Sequence, residues 1–396
     1  MKRVNNIYNE IVNIERILNM YDKRIRINTK NKVKLSRFEY NYVSNIVYIK
    51  NVLEDKSYTP GRYNIFIIKE PKVRLIMSQN VIDKIINHVV SEYFLVRVFD
   101  NTLIRENVAT RSGKKTHYGI RLLKKYINEL KQGDFYILKF DISKYFYNLD
   151  HNIIKDILKK KIKDKDALRL LFKIIDSTDY KYVNKIIDSL KQQEIDKILN
   201  SSCLNKDKLI KDIENIPEYK VGKGLPIGNM SSQFLAILYL NELDHFIKEK
   251  LNLKYYIRYM DDGVILHKDK EYLKYCLNEI TKMLDKYKLK LNNKTQIVNC
   301  KEGFEFLGFR YVVKNGRLIL KIRNQTKRRF KRKMKTMYKL ADENKITQKD
   351  VKQVENSYLG HLSYGNTQKL IKKNFKNMVD INCIEGRIID GEIIYK

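Results

Sequence analysis

The sequence predicts an α+β fold in which an antiparallel sheet carries helices on one face. The order of the predicted elements favours this class. Short β-rich runs and helical segments follow one another in the order strand, helices, helix, strand-turn-strand, helix, strand. The 396 residues also include only four prolines, none after Pro226, and no low-complexity linker. We therefore expect one continuous body with several lobes.

The first 131 residues are predicted to be helical around a single hairpin. Tyr63–Ile68 and Val73–Met77 are β-rich runs on either side of Glu70-Pro71-Lys72, a pattern typical of a hairpin. Helices are predicted before and after it, at residues 1–56, Val81–Val98 and Thr116–Lys131.

The middle of the chain combines short strands with longer helices. Phe135–Asp141, Tyr255–Tyr259 and Val264–His267 are short apolar runs and predict strands. Apolar residues at helical spacing predict a helix over residues 269–288, namely Leu273, Leu277, Ile280, Leu284 and Tyr287. Further helices are predicted over residues 151–175, 182–200 and 231–250.

A second hairpin and a basic helical region are predicted near the C-terminus. Phe304–Val312 and Arg317–Ile322 flank Asn315-Gly316, a pair that favours the tight turn of a hairpin. Residues from about 324 to 375 are predicted to be helical and basic.

The net charge indicates a polyanionic partner. Lys and Arg number 80 against 46 Asp and Glu, a formal charge of +34, and such a field attracts polyanions. A compositional bias toward Lys, Asn, Ile and Tyr explains part of the lysine count. It does not explain residues 317–339, where eleven basic residues occur with no acid. That run could be a localisation signal or a nucleic-acid-binding helix.

Several other classes are disfavoured. No apolar run approaches the roughly 18–20 residues that a membrane span needs, and the N-terminus lacks the pattern of a signal peptide. The cysteines show no CxxC pair and the histidines show no spacing typical of metal ligands, so we expect a reducing cytoplasm and no zinc site. These residues are Cys203, Cys276, Cys300, Cys383, His88, His117, His151, His245, His267 and His361.

Two adjacent acids, Asp261 and Asp262, lie between apolar strands in Tyr259-Met260-Asp261-Asp262-Gly263. Unpaired carboxylates repel each other and are costly to desolvate, and a divalent cation removes both problems. An Asp-Gly surface turn is the simpler alternative. From these residues alone the two interpretations weigh evenly.

Asp141 ends a third apolar strand and could complete a metal cage with the hairpin acids. Two-metal phosphoryl transfer needs shared carboxylates that hold ions roughly 3.5–4 Å apart. The alternative is that Asp141 caps the helix that follows it.

The third informative segment is Gly222–Asp244, in which small residues precede an apolar helix. Gly228, Ser231 and Ser232 would let a flat base pair approach the backbone. An ordinary capped core helix is the alternative.

Taken together, these segments resemble the reverse transcriptase family in order and in kind, over about residues 58–312 and more loosely in Ser357–Asn366. The resemblance implies a right-hand polymerase: residues 1–134 as N-terminal extension and fingers, 135–312 as palm with an insertion at 176–219, and 313–396 as a basic helical thumb and tail. It implies an RNA template, a DNA or RNA primer or a protein primer, dNTPs, and two Mg²⁺ ions, with Mn²⁺ as an alternative.

The resemblance also assigns roles to individual residues. Asp141, Asp261 and Asp262 match the catalytic acids, and Ile142 joins them among the implied metal ligands. Lys294 looks like the lysine that protonates pyrophosphate, Arg74 like the arginine that contacts the triphosphate with Lys72 as a weaker candidate, and Phe146 like the steric gate against a 2′-hydroxyl. The implied nucleic-acid contacts are Phe306-Leu307-Gly308, which resembles the primer grip, and Lys327, Arg328, Arg329, Lys331 and Arg332.

The subfamily is suggested by Ile227-Gly228-Asn229-Met230-Ser231-Ser232-Gln233. Most relatives have Gln at the position of Ile227 and Pro at that of Gln233. The pattern looks like the enzymes of diversity-generating retroelements, which implies error-prone copying. Antiphage-defence reverse transcriptases, which copy a noncoding RNA and can have a small accessory protein, are the alternative. An RNA-dependent RNA polymerase and a non-catalytic nucleic-acid scaffold are further alternatives.

Overall fold

The computed structural model describes residues 3–202, 205–374, 388–389 and 392–393. Cys203 and Cys383 lie outside these residues, whereas Cys276 and Cys300 are buried free thiols. In the described part of the chain, no helix combines the length and apolar character needed to cross a membrane.

Helices occupy most of the predicted helical regions. In chain order they are α1 Tyr8–Val12, α2 Ile14–Met20, α3 Lys32–Tyr40, α4 Tyr42–Glu54, α5 Val81–Val89, α6 Arg97–Phe99, α7 Thr116–Leu130, α8 Tyr145–Asn148, α9 His151–Lys161, α10 Lys165–Ile175, α11 Tyr182–Leu199, α12 Lys206–Glu214, α13 Met230–Tyr239, α14 Asn241–His245, α15 Lys270–Lys286, α16 Asn324–Asp342, α17 Gln348–Leu362 and α18 Gln368–Asn374. Wider π-helical turns follow α2, α5 and α14, at Tyr21–Arg26, Val90–Val96 and Phe246–Lys250.

The strands pair antiparallel throughout the described residues. They are β1 Asn64–Ile68, β2 Arg74–Ser78, β3 Tyr136–Asp141, β4 Tyr255–Tyr259, β5 Asp262–His267, β6 Gln296–Asn299, β7 Phe304–Phe306, β8 Phe309–Lys314, β9 Arg317–Ile322, β10 Ile388–Ile389 and β11 Glu392–Ile393. A four-stranded sheet has the order β4-β5-β3-β6, and a three-stranded sheet has the order β7-β8-β9. Both β1-β2 and β10-β11 form two-stranded ribbons. The α+β class and both predicted hairpins are confirmed.

Several local features differ from the predictions. The helix predicted over residues 151–175 is interrupted, because the Asp164 side chain accepts hydrogen bonds from the backbone N–H groups of Asp166 and Ala167 and so caps a new helix. The run Phe304–Val312 is two strands, divided at Leu307-Gly308. Neither β6 nor α12 was predicted.

The chain divides into two compact units. The first contains residues 1–105, 142–246 and 280–291, and the second contains residues 106–141, 247–279 and 292–396.

Within the first unit, α11 and α12 occupy the predicted insertion at residues 176–219 and pack against the hairpin β1-β2. Val183, Ile187 and Ile213 from the insertion are buried together with Leu75 and Met77 of β2. Since burying side chains of this size stabilises by about 1.5–3 kcal/mol each, the insertion is an integral support of the hairpin.

Within the second unit, the sheets and α7 share one apolar core. Ile120 and Leu123 of α7 are buried with Ile137 of β3, Val264 of β5 and Phe306 of β7. A smaller cluster joins α16 to α17 through Phe330, Met334, Val351 and Leu362. This core therefore packs α7 and the three-stranded sheet against the four-stranded sheet.

Candidate active site and nucleic-acid-binding residues

The acidic site in the second unit is built by strand register. In the pairing of β3 with β5, Asp141 lies directly opposite Asp262. In the pairing of β4 with β5, Tyr259 lies opposite Asp262, which places Asp261 in the turn between these strands. The sheet thus brings Asp141 to a pair of adjacent acids that lie far from it in the sequence.

The close approach of β3 and β5 beside the acids requires Gly263. This glycine pairs with Phe140, and a Cβ atom on it would lie 2.1 Å from Cζ of the Phe140 ring. A side chain here would push apart the strands that carry Asp141 and Asp262. Packing against Phe140 therefore requires a glycine at position 263, independently of any Asp-Gly turn.

The environment of Asp261 and Asp262 disfavours the charged forms of these two acids. Burial raises the pKa of Asp261 to about 7, and repulsion from Asp141 adds to the shift. Burial also raises the pKa of Asp262 to about 6, although the positive charge of Lys139 opposes the shift and Asp141 reinforces it. The Lys139 Nζ atom lies 3.5 Å from Oδ1 of Asp262. One lysine therefore does not neutralise the cluster.

These residues fit divalent cations of the Mg²⁺ type. Oδ1 of Asp262 is a buried oxygen without a hydrogen-bond partner among the described residues. Hard cations bind carboxylate oxygens, and a cation would satisfy this oxygen while offsetting the repulsion between the acids. Ile142 has a buried aliphatic side chain, so only its backbone carbonyl could join them. It belongs to the first unit, and its role as a ligand stays a prediction.

Arg258 supports the acidic turn and was not predicted from the sequence. Its side chain is fully buried, and Nη1 donates a hydrogen bond to the Met260 carbonyl over 2.6 Å. Met260 has a φ of +57°, a conformation that is unfavourable for a residue with a long side chain. A charged hydrogen bond to its carbonyl stabilises this conformation and so fixes Asp261, the next residue.

We expect the substitution Arg258→Met to reduce the rate of the reaction at this site by roughly 10- to 100-fold, the equivalent of one charged hydrogen bond. The rate at saturating metal and substrate should fall, and the metal concentration for half-maximal rate should rise. The rate of Arg258→Lys, which keeps the positive charge, should lie between the rates of the wild type and of Arg258→Met. A folded Arg258→Met protein with full activity, as judged by circular dichroism and kinetics, would contradict this role.

Lys294 lies in an exposed turn that is tied to the backbone of Asp141. The Asn292 N–H donates to the Asp141 carbonyl over 2.7 Å, and the Asn292 side chain accepts from the Lys294 N–H over 3.1 Å. The structure thus anchors the turn near the acids and leaves the Lys294 side chain exposed.

The predicted primer grip is a strained turn between β7 and β8. Leu307 and Gly308 have φ values of +48° and +88°. A Cβ atom on Gly308 would lie 3.3 Å from the ring of His361 in α17, whose ring also packs on Phe309 with centroids 4.8 Å apart. Phe306 is fully buried. Phe306 is therefore a core residue, and Leu307-Gly308 is the part of the segment that is available for contact.

The predicted duplex-binding residues lie on α16, outside its row of buried apolar residues. Phe330, Met334 and Met337 are buried against α17 and its neighbours. The five basic residues are exposed or half-buried: Lys327, Arg328, Arg329, Lys331 and Arg332. One helix thus presents a basic face and a packed face, as a nucleic-acid-binding helix requires.

In the first unit, Arg74 and Lys72 lie at the turn end of the hairpin β1-β2. Arg74 is exposed and pairs with Ile68, and Lys72 is exposed in the loop. Because side chains alternate along a strand, Arg74 lies on the face opposite Leu75 and Met77, which pack on the insertion. Arg74 therefore lies on the face of the hairpin that does not pack on the insertion.

Ile227 and Gly228 are attached to the same hairpin. The Met77 N–H donates to the Ile227 carbonyl over 2.9 Å, and a Cβ atom on Gly228 would lie 2.7 Å from the Met77 carbonyl oxygen. Since Gly228 has a φ of +136°, packing and backbone conformation already account for the glycine. Gln233 is half-buried in the first turn of α13.

Phe146, the predicted steric gate, lies in α8. Its ring is half-buried and packs edge-on to Tyr145 with centroids 5.9 Å apart. Its carbonyl accepts a hydrogen bond from the Leu225 N–H over 2.8 Å, which links α8 to the segment that precedes Ile227.

Comparison with known proteins identifies the family. The sequence profile described as reverse transcriptase (RNA-dependent DNA polymerase) matches residues 67–311, more than half of the chain. The chain belongs to this family. Membership and the antiparallel sheets agree with the right-hand polymerase fold that the sequence predicted. A comparison with curated protein sequences found no match.

The solved structures that resemble the chain include two telomerases. Apo telomerase from Candida tropicalis, truncated from the C-terminal domain, has 13% identity and a TM-score of 0.39, covering 70% of this chain and 60% of its own. Telomerase from Candida albicans in complex with a TWJ fragment of telomeric RNA has 15% identity and a TM-score of 0.39, covering 69% of this chain and 46% of its own. The chain thus spans less than two thirds of either telomerase.

Proposed function

We propose that the protein is an RNA-directed DNA polymerase that makes cDNA by two-metal nucleotidyl transfer. The observation that carries this proposal is the register that sets Asp141 opposite Asp262, with Asp261 in the adjoining turn. These acids, together with the carbonyl of Ile142, would hold two Mg²⁺ ions, or Mn²⁺ in their place. Bound ions of this kind supply charge stabilisation at the attacking and leaving oxygens.

Other residues of the chain are proposed to bind and orient the reactants. Arg74, with Lys72, binds the triphosphate of the incoming dNTP, and the ring of Phe146 excludes a ribonucleotide 2′-hydroxyl. Lys294 provides a proton to the pyrophosphate. Leu307-Gly308 positions the primer end, and the basic face of α16 holds the template–primer duplex. Fingers at residues 1–134, palm at 135–312 and thumb at 313–396 remain the proposed divisions.

Primer extension by the purified full chain tests the activity. We expect Mg²⁺-dependent extension of a DNA primer on an RNA template with dNTPs, and poor extension with ribonucleotides. Efficient use of ribonucleotides would instead indicate an RNA polymerase. Template binding without extension by either nucleotide class would indicate a scaffold.

Within this activity, we propose error-prone copying of the diversity-generating type. Ile227 supports error-prone copying, because an aliphatic side chain cannot donate the hydrogen bond that a Gln would offer, and apolar contact discriminates weakly between bases.

The proposed partners are an RNA template and a primer, with a noncoding RNA and a small accessory protein in the defence alternative. The scattered cysteines favour a reducing cytoplasm.

We expect the wild-type protein to misincorporate opposite template adenine more often than opposite the other bases. Ile227→Gln should lower this misincorporation without abolishing synthesis. Sequencing of cDNA made from a defined RNA measures both. If the wild type copies adenine as accurately as the other bases, the mutagenic proposal fails and the defence function is favoured.

A further inference from the structure

A second group of ligand atoms lies in the first unit, remote in sequence from the acidic turn. His151, Asp176 and Asp179 each direct one nitrogen or oxygen atom into a common space, and these atoms all lie within 4.8 Å of one another. His151 begins α9, Asp176 follows α10, and Asp179 precedes α11. The spacing of these residues in the sequence gave no indication of the group.

The imidazole ring of His151 is oriented by a backbone carbonyl. Its side chain is 1% exposed, and Nε2 lies 2.8 Å from the Gly224 carbonyl oxygen. A carbonyl can only accept a hydrogen bond, so Nε2 carries a proton. In the neutral ring, Nδ1 then has a lone pair, which points at Oδ1 of Asp176 at 3.1 Å and Oδ2 of Asp179 at 3.6 Å.

Each carboxylate is oriented through its other oxygen. Oδ2 of Asp176 lies 2.7 Å from Nζ of Lys155, and Oδ1 of Asp179 accepts the Gly222 N–H over 3.0 Å. The two inner oxygens and Nδ1 of His151 are therefore three lone-pair donors that face one another. With a neutral His151 these three atoms repel unless a cation lies among them, whereas a second proton on Nδ1 would pair His151 with its acids instead. The metal titration below distinguishes these two arrangements.

We propose that His151, Asp176 and Asp179 bind a divalent transition-metal ion of the Zn²⁺ class. Imidazole nitrogen and carboxylate oxygen are ligands that such ions accept, with a water in the remaining position. Metal-binding histidines usually donate their other N–H to a carbonyl or carboxylate, which is the relation of His151 to Gly224. This inference does not depend on the proposed polymerase activity.

The ion would fasten the base of the insertion. Asp176 and Asp179 precede α11, whereas Gly222 and Gly224 follow α12. The two ends already meet, because the Thr178 hydroxyl donates to the Gly224 carbonyl over 3.0 Å and the Gly222 backbone N–H donates to Oδ1 of Asp179 over 3.0 Å. Since the insertion supports the hairpin of Arg74 through the core described above, the ion would stabilise that hairpin indirectly.

Metal titration of the full chain tests the proposal. Chelator-treated protein is titrated with Co²⁺, a spectroscopic substitute for Zn²⁺. Excess Mg²⁺ is present so that it occupies the carboxylate site of Asp141, Asp261 and Asp262. We expect one equivalent to bind with a visible absorption band. Asp179→Asn, which keeps the oxygen that accepts from Gly222, should weaken binding by at least about 100-fold, the upper range for loss of an outer partner. Asp176→Asn provides a second variant if the first does not fold.

Two control variants separate this site from others. Asp156→Asn changes an exposed acid on α9 and should bind Co²⁺ as the wild type does. Asp261→Asn should also bind Co²⁺ normally while losing the proposed polymerase activity, so the two proposals can fail separately. Absence of binding to the wild type, or equal binding by folded Asp179→Asn, would overturn the metal site and leave a protonated His151 paired with its acids.

Discussion

Asp261→Asn should abolish DNA synthesis while leaving the fold intact. In the proposed mechanism, the amide removes a ligand of the metal ions that stabilise charge in the transition state. The loss of several kcal/mol of such stabilisation corresponds to about 10³-fold or more in rate. Single-turnover primer extension at saturating Mg²⁺ and dNTP measures this loss. Because other residues are proposed to bind the duplex, affinity for the template–primer should change little.

The same variant should be at least as stable as the wild type at pH 8 without metal. The folded-state pKa of Asp261 is about 7, above its usual value of 3.8, so ionisation of this group destabilises the folded protein progressively as the pH rises between these values. Asparagine removes this cost, and the difference should vanish below about pH 4, where the carboxyl is protonated in both states. Thermal unfolding followed by circular dichroism over this pH range measures the effect.

Asp134→Asn is the matched control for Asp261→Asn. Asp134 precedes β3, is 58% exposed and pairs with Lys301 at the surface, where an ion pair contributes little. This variant should retain both activity and stability. Robust extension by Asp261→Asn would refute the assignment of the acids to catalysis. Inactivity of Asp134→Asn would show that loss of activity follows any change near this sheet.

Replacing the five basic residues of α16 by glutamine should weaken duplex binding by a large and salt-dependent factor. The residues are Lys327, Arg328, Arg329, Lys331 and Arg332. Each phosphate contact releases counterions, so the slope of log affinity against log salt should become shallower by roughly 0.9 per contact for B-form DNA, up to roughly 4.5 for all five. Fluorescence anisotropy with a labelled RNA–DNA hybrid over a salt series measures the slope.

A second variant with the same change in net charge distinguishes direct contact with the duplex from long-range electrostatic attraction. Five exposed lysines in and beside the insertion can be replaced by glutamine: Lys181, Lys185, Lys208, Lys211 and Lys220. This variant has the same net charge as the α16 variant, so it should show the same loss of long-range attraction but a nearly unchanged slope. If both variants alter the slope equally, the basic face of α16 does not contact the duplex.

Local sequence patterns determined most of the secondary structure and the acidic turn. The short apolar runs on either side of Asp261-Asp262 indicated two buried strands and a turn between them. Asn315-Gly316 indicated a hairpin for an equally local reason, its tolerance of positive φ. The helix over residues 269–288 followed from helical spacing, and the structure places it at Lys270–Lys286.

Features set by weak local preference were missed. β6 has only partly buried or exposed residues and follows no clear alternation, so its strand conformation depends on pairing with β3. The break between α9 and α10 depends on Asp164, whose side chain also accepts the N–H groups of Ile7 and Tyr8, about 156 residues away in the sequence. Such partners are invisible in a local window.

Only the tertiary structure decided which polar residues meet. The sequence supplied Asp141 and Asp262, but their direct opposition depends on the register of β3 and β5, which Gly263 and Phe140 make sterically feasible. Nothing in the local sequence indicates that Arg258 is buried, yet its side chain is fully buried beneath the turn. His151, Asp176 and Asp179 were likewise unremarkable until folding closed the base of the insertion. Each of these relations requires chain closure over many residues, and its energy comes from burial and pairing that exist only after the segments have come together.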